Sequence, residues 1–422
     1  MNRIDKKSSC ADEQESDTLT VNQALRNMLN TVEEKNSNEL IHLSTAVDRV
    51  LGKPIMSSIN VPSHCNSAVD GYAIRSVDLP HHGEITCLPI VAQVVAGHPY
   101  HGSLNSGECI QIMTGAQMPD SADTVIMQEH VELEGNTIRI DASHVPGQNV
   151  RQAGEDIQAG QVVLDAGTQL TPPQIGLIAS LGVAEITVKT RLTAAVFSTG
   201  DEVLGFGQPT HEGCIYDSNR YSLMAALKML GCNVLDMGII PDDPVKLQQA
   251  FTLSANSADI IFTSGGVSVG SADYTKQILS KTGSINFWKV AMKPGRPIAF
   301  GKINDSIFFG HPGNPVAVMV TFYQFALPCL QKMMGIDKPL ITPLIQARCT
   351  QPIRKLAGRT EFQRGVLSRG KSGQWHVSTT GQQGSGVLRS MSDANAFIIL
   401  NHDQSSIEEG DWVTVQPFSG LF

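Results

Sequence analysis

The chain has no C-x-x-C pair, no H-E-x-x-H motif and no apolar run long enough to cross a bilayer. The first two absences argue against a zinc site, and the third against a membrane-spanning helix. The eight cysteines, Cys10, Cys65, Cys87, Cys109, Cys214, Cys232, Cys329 and Cys349, are scattered. They read as free thiols in a reducing compartment, so the expected location is cytoplasmic. Charged residues are scarce at 17% while hydrophobic ones reach 41%, which excludes wholesale disorder and allows sizeable cores. Positive charge is in deficit: 31 Lys and Arg against 40 Asp and Glu leave a net charge of -9. That excludes nucleic-acid binding driven by bulk charge. A small anionic substrate remains possible, because it needs only a local cationic pocket.

At 422 residues several domains are expected. Residues 1–18 are polar, lack the apolar core of a signal peptide and read as a flexible leader. Val21, Ala24, Leu25, Met28, Leu29 and Val32 then recur at helical spacing, with Thr20 and Gln23 in the form of a capping box. A second helix is expected over residues 46–51. Residues 61–149 are short, β-branched and punctuated by Gly, Pro and His, which predicts a β-rich insertion; Glu134-Gly135-Asn136 suits a hairpin turn. The flanking stretches 19–60 and 150–190 read as an N-terminal linker and dimer domain.

Residues 191–338 alternate strand, Gly-rich loop and helix, which predicts a mainly parallel sheet covered on both faces. The last helix of this region, entered through Pro312-Gly313-Asn314-Pro315, should run to about Met334. Residues 339–422 return to short strands and suggest a small β-barrel or sandwich.

The strongest loop is T-S-G-G-V-S-V-G at 263–270, containing Ser264, Gly265, Gly266, Ser268 and Gly270. It follows a buried strand and precedes a predicted helix. Glycines let backbone N–H groups approach an oxyanion, and a helix N-terminus adds positive partial charge. Asp273 lies just beyond it, and Asp201, Glu202, Asp242 and Asp243 end two other strand–loop segments. Carboxylates gathered beside a phosphate suit Mg²⁺. Asp243 reads better as a helix cap, whereas Asp242 and Asp273 suit a metal or ligand role.

Between residues 274 and 304 stand Lys276, Lys281, Lys289, Lys293, Arg296 and Lys302. Lys276, Lys281 and Lys302 read as solvated surface. Lys293-Pro294-Gly295-Arg296 is a tight turn whose cations can clamp an oxyanion. A second basic stretch, 348–371, holds Arg359, Arg364 and Arg369, and a polar turn at 381–386 contains Ser385. Asp70, Thr114 and Asp156 sit in segments that, on chemistry alone, read as structural turns.

The chain resembles the molybdopterin molybdenumtransferase family. N-S-A-V-D-G-Y-A at 66–73, I-M-T-G-A at 112–116, G-E-D-I at 154–157 and F-S-T-G-D-E at 197–202 occur in that family's order. S-G-G-V-S-V-G-S-A-D-Y at 264–274, K-P-G-R-P at 293–297, P-G-N-P at 312–315 and F-Q-R-G at 362–365 continue it. Departures are Arg296 for the commoner Lys, Ala317 for Ser, Gln382 and Gly386 for His, and His311 for Leu.

The resemblance implies four domains: a central three-layer α/β/α domain like that of molybdopterin adenylyltransferase, a β-rich insertion, a C-terminal small β-barrel and an N-terminal domain. It implies a homodimer with a shared active site. The implied reaction inserts molybdate into adenylylated molybdopterin with release of AMP, dependent on Mg²⁺. Ser264 to Gly270 would hold the adenylate phosphate, Asp242 and Asp273 the metal, and Glu202 would lie beside them. Lys289, Lys293, Arg296, Arg364 and Ser385 would surround molybdate. Asp70, Thr114 and Asp156 become catalytic candidates on this ground alone.

Molybdopterin adenylyltransferase and molybdoenzyme maturation proteins are implied partners; nucleic acid and membrane are not. Two rival functions remain: a molybdopterin adenylyltransferase, or a non-enzymatic scaffold of the same fold.

Overall fold

The computed structural model describes residues 18–265, 283–337 and 343–418. At its centre is a seven-stranded sheet in the order Thr18–Leu19, Gly283–Val290, Pro297–Ile303, Ser306–His311, Ile260–Ser264, Thr193–Thr199, Asn233–Ile240. The last four are mutually parallel. Side chains alternate across such a sheet, so neighbours in sequence enter different cores. Phe262 and Phe309 pack on one face with Leu223 and Leu227 of helix Asn219–Met229 and Val316 and Val320 of helix Pro315–Thr321. Ile261 and Phe308 point the other way, against Leu247 and Phe251 of helix Pro244–Ser257. The predicted two-sided parallel sheet is therefore present.

The basic stretch after residue 282 adds what the strand–helix rhythm did not predict. Gly283–Val290 and Pro297–Ile303 form an antiparallel hairpin on the edge of this sheet. Thr18–Leu19 pairs outside it, in parallel with Lys289 and Val290. Thr18 thus belongs to a strand rather than to the leader; residues 1–17 lie outside the described residues. The capped helix Val21–Thr31 buries Ala24 and Met28 in the same core as Phe262.

One predicted helix is absent. Over residues 46–51 there is none: a single turn spans Leu43–Thr45, and Val50 and Leu51 make isolated β-bridges. Asp48 there has φ 62°, a left-handed conformation that a right-handed helix cannot contain. The helix after Pro315 runs to Met333, close to the expected end, as Pro315–Thr321, a π turn Phe322–Ala326 and Leu327–Met333. Pro328 has no N–H to continue the ladder, and the wider π turn absorbs the missing bond.

The insertion is a six-stranded sheet, Thr124–Met127, Gly71–Ile74, Cys109–Ile112, Ile85–Val94, Thr137–Asp141, Glu132–Glu134. Its last hairpin turns through Gly135 at φ 61°. Asn38–His42 pairs with Glu185–Lys189, and Ile55–Met56 with Val162–Leu164, over a core of Leu51, Leu170, Ile178 and Val188. At the C-terminus Thr360–Arg369 pairs with both Trp375–Thr379 and Ala396–Leu400. With Ile345–Cys349 and Trp412–Pro417 this closes a five-stranded barrel, which decides between barrel and sandwich.

Phe309 is fully buried and lies at the heart of the central core, against Phe262 and Phe300. Phe309→Ala should lower the unfolding free energy by about 3–5 kcal/mol, measured by urea denaturation.

Candidate functional site

The register of the parallel strands brings Thr199, Ile240, Ser264 and His311 to one edge of the central sheet. Loops beyond the carboxyl ends of such strands are where α/β folds bind ligands. A cavity of about 350 Å³ opens there, lined among others by Thr199, Glu202, Asp217, Asn219, Ser264 and Gly265. Gly386 and Leu388, from a turn that follows the barrel strand Trp375–Thr379, also line it. Gly265 has φ +90°, and a Cβ there would stand 2.6 Å from the Thr199 carbonyl oxygen, so only glycine lets the chain leave the strand this way. Its N–H donates to the His311 carbonyl at 3.2 Å. That amide pins the loop rather than facing a ligand. Gly266, Ser268, Gly270 and Asp273 lie outside the described residues.

The wall facing Ser264 comes from the start of helix Asn219–Met229. Asp217 is buried and accepts hydrogen bonds from Ser198 Oγ at 2.9 Å and Arg220 Nε at 2.7 Å. Arg220 reaches on to Asp236. Asn219 Nδ2 donates to Ser264 Oγ and to the Gly313 carbonyl, each at 2.7 Å. These contacts depend on the packing of helix Asn219–Met229 against three strands of the central sheet, and no local pattern announces them.

On one side of the cavity the charge is negative. Asp242 N–H donates to Asp201 Oδ1 at 3.1 Å. Burial, and then the charges of Asp201 and Glu202, push the Asp242 carboxyl above its usual range. A cation would relieve that repulsion, and an all-carboxylate donor set suits a hard ion such as Mg²⁺. Among the described residues, however, no three His, Cys, Asp or Glu side chains stand close enough to hold a metal. Asp243 caps helix Pro244–Ser257 by accepting from Lys246 N–H at 2.9 Å, the role its sequence position predicts.

Farther along the same sheet edge the charge is positive. The antiparallel hairpin turns over at the same sheet edge, since Lys289 pairs with Pro297 and Ala299 with Gly310. Lys289, Lys293 and Arg296 therefore share the edge that holds Ser264. Strand Pro297–Ile303 lies three strand spacings from Thr193–Thr199, or roughly 14 Å. Lys293 Nζ is half exposed and 3.4 Å from Oε1 of the buried Glu361. Arg364 is only 1% exposed, and burial pushes its guanidinium down to about 10. Its partners are Ser390 Oγ at 3.0 Å, the Gly384 carbonyl at 3.0 Å and the Gln382 carbonyl at 3.5 Å. The Ser385 carbonyl accepts from Val316 N–H at 3.1 Å. Arg364 and Ser385 are thus tied through one turn to the start of helix Pro315–Thr321.

Asp70 and Thr114 meet because Gly71 and Ile112 are cross-strand partners. Asp70 Oδ1 accepts from Thr114 Oγ1 at 2.6 Å and from its N–H at 2.7 Å, bonds that hold the Asp70 carboxyl below its usual range. Asp156 is exposed on a turn whose N–H donates to the Val61 carbonyl. None of these three residues lines the cavity of its own chain.

His311 ends the central strand inside the core, stacked on Phe262 and hydrogen-bonded through Nδ1 to Thr321 Oγ1 at 2.7 Å. Burial lowers its pKa from 6.5 to about 3. The folded state therefore binds fewer protons than the unfolded one between these values, and stability falls as pH drops from 6.5 toward 3. Urea midpoints across this range should show that loss, and His311→Leu should flatten it.

Three family models match the chain in succession: the MoeA N-terminal region (domain I and II) at residues 19–182, a probable molybdopterin binding domain at 195–332, and the MoeA C-terminal region (domain IV) at 346–418. A molybdopterin molybdenumtransferase of Haemophilus influenzae is 42% identical over 96% of this chain and 99% of its own length. One from a Nostoc species is 34% identical over 92% and 91%. The crystal structure of a molybdopterin biosynthesis moeA protein from Pyrococcus horikoshii OT3 superposes with a TM-score of 0.83 at 28% identity, covering 95% of this chain and all of that one. With an identity of this size along nearly the whole chain, and the same fold, the chain belongs to the molybdopterin molybdenumtransferase family.

Proposed function

We propose that the chain inserts molybdenum from molybdate into adenylylated molybdopterin, splitting the phosphate linkage to the adenylate and releasing AMP. The observation that carries this reading is the charge division along one sheet edge. Carboxylates of Asp201, Glu202 and Asp242 lie at one end, Lys289, Lys293 and Arg296 at the other, with Ser264 between them. Two anionic substrates repel each other; fixed charges of both signs along one cleft hold them side by side.

Ser264, with the segment through Gly266, Ser268 and Gly270, binds the adenylate phosphate. Lys289, Lys293 and Arg296 hold molybdate, a tetrahedral dianion that fits several converging donors. Arg364 and Ser385 close that end, with their turn anchored on helix Pro315–Thr321. Glu202, exposed at the cavity, positions the reacting groups. Asp242 with Asp273 would hold Mg²⁺, which neutralises phosphate charge when bound. The raised pKa of Asp242 supports a cation beside it.

Molybdate-dependent AMP release from adenylylated molybdopterin tests the reading directly. Lys293→Ala and Asp242→Ala should each slow it by about a hundred- to a thousandfold while leaving the thermal unfolding midpoint unchanged. ATP-dependent adenylylation of molybdopterin would instead indicate the adenylyltransferase. A chain that dimerised but released no AMP would indicate the scaffold.

The active unit is a homodimer in which Asp70, Thr114 and Asp156 of one chain serve the cavity of the other. Exposed Leu40, Met56, Ile59 and Val162 around the small two-stranded sheets supply apolar surface for such an interface. Mixed dimers of Asp70→Asn and Lys293→Ala chains should recover about a quarter to a half of wild-type AMP release, because one intact cavity forms per mixed dimer. Recovery no greater than either variant alone would sink the shared site.

A further inference from the structure

We propose that Asn219 is a positioning residue that makes the Ser264 hydroxyl a dedicated donor to the phosphate oxyanion. The inference rests on the adenylate-binding role given to Ser264 above and adds a residue that neither composition nor motif singled out.

The argument begins with which way the Asn219 amide faces. The Gly313 carbonyl can only accept, so the atom 2.7 Å from it must be Nδ2 rather than Oδ1. The second Nδ2 hydrogen is then committed to Ser264 Oγ, also at 2.7 Å. Ser264 is buried at 4% exposure, and its hydroxyl accepts from Asn219 without donating to any other described residue. A hydroxyl has one proton. With its acceptor side held by Asn219, that proton is directed to the cavity that Ser264 lines.

Two further polar atoms on the same wall have no partner among the described residues: Asn219 Oδ1 and Thr199 Oγ1, both buried. The same Asn219 side chain ties the strand end at Ser264 to the loop before helix Pro315–Thr321.

AMP binding to the full-length protein in the presence of Mg²⁺, followed by calorimetry, tests this. Ser264→Ala and Asn219→Ala should each weaken AMP by about ten- to a hundredfold, the scale of one hydrogen bond to a charged group. Because Asn219 acts through Ser264, the double variant should bind within about threefold of Ser264→Ala alone. Asn219→Asp, which keeps the shape, should bind no better than Asn219→Ala, since its carboxylate would capture the serine proton. It carries the comparison if Asn219→Ala melts early. Asn219 variants that bind AMP like the wild type, or losses that multiply in the double variant, overturn this inference alone. Wild-type protein that binds no AMP overturns the adenylate reading with it.

Discussion

Strand register at one edge of the central sheet is the constraint on which the placement of charge in this molecule depends. Four strands end in register at one edge, and each ending is followed by a loop of different chemistry: carboxylates after Thr199 and Ile240, a serine and glycine at Ser264, and P-G-N-P after His311. The hairpin Gly283–Val290 and Pro297–Ile303 then carries the cationic turn to the same edge. Strand order alone separates the charges by about three strand spacings.

The glycine and proline positions make that arrangement rigid. Gly265 leaves its strand in a conformation closed to other residues and spends its amide on His311. His311 is held to Thr321, and a Cβ on Gly295 would stand 2.7 Å from the Thr321 methyl. The strand exit at Gly265, through His311, and the basic turn, through Gly295, therefore both bear on Thr321. The C-terminal barrel joins through Arg364, whose buried guanidinium is satisfied by carbonyls of the turn that contacts Val316. Among the described residues the guanidinium has no carboxylate partner, and a charge so placed is costly to bury.

Much of the fold was legible in residue order. The capping box at Thr20 and Gln23, the cap at Asp243 and the hairpin at Gly135 are local signals, and the structure places each as read. The misread helix has a local cause as well: Asp48 is left-handed where a helix was expected over 46–51, whereas the helix entered at Pro315 continues to Met333 across a π turn. The candidate site was legible in part: Glu202, Asp242, Ser264 and Lys293 stand out by charge and by loop context, but nothing local sets Asn219 and Asp217 apart.

What sequence determined, then, was the kind of element each segment forms and the sign of charge each loop carries, because both depend on neighbours within a few residues. It determined the family too, through eight short motifs in a fixed order. Tertiary structure alone decided which loops share an edge. It set Asn219 against Ser264 across 45 positions and Lys293 against Glu361 across 68, and it joined Asp70 to Thr114. Those pairings follow from strand register and sheet order, which arise only when distant segments bury their apolar faces against one another.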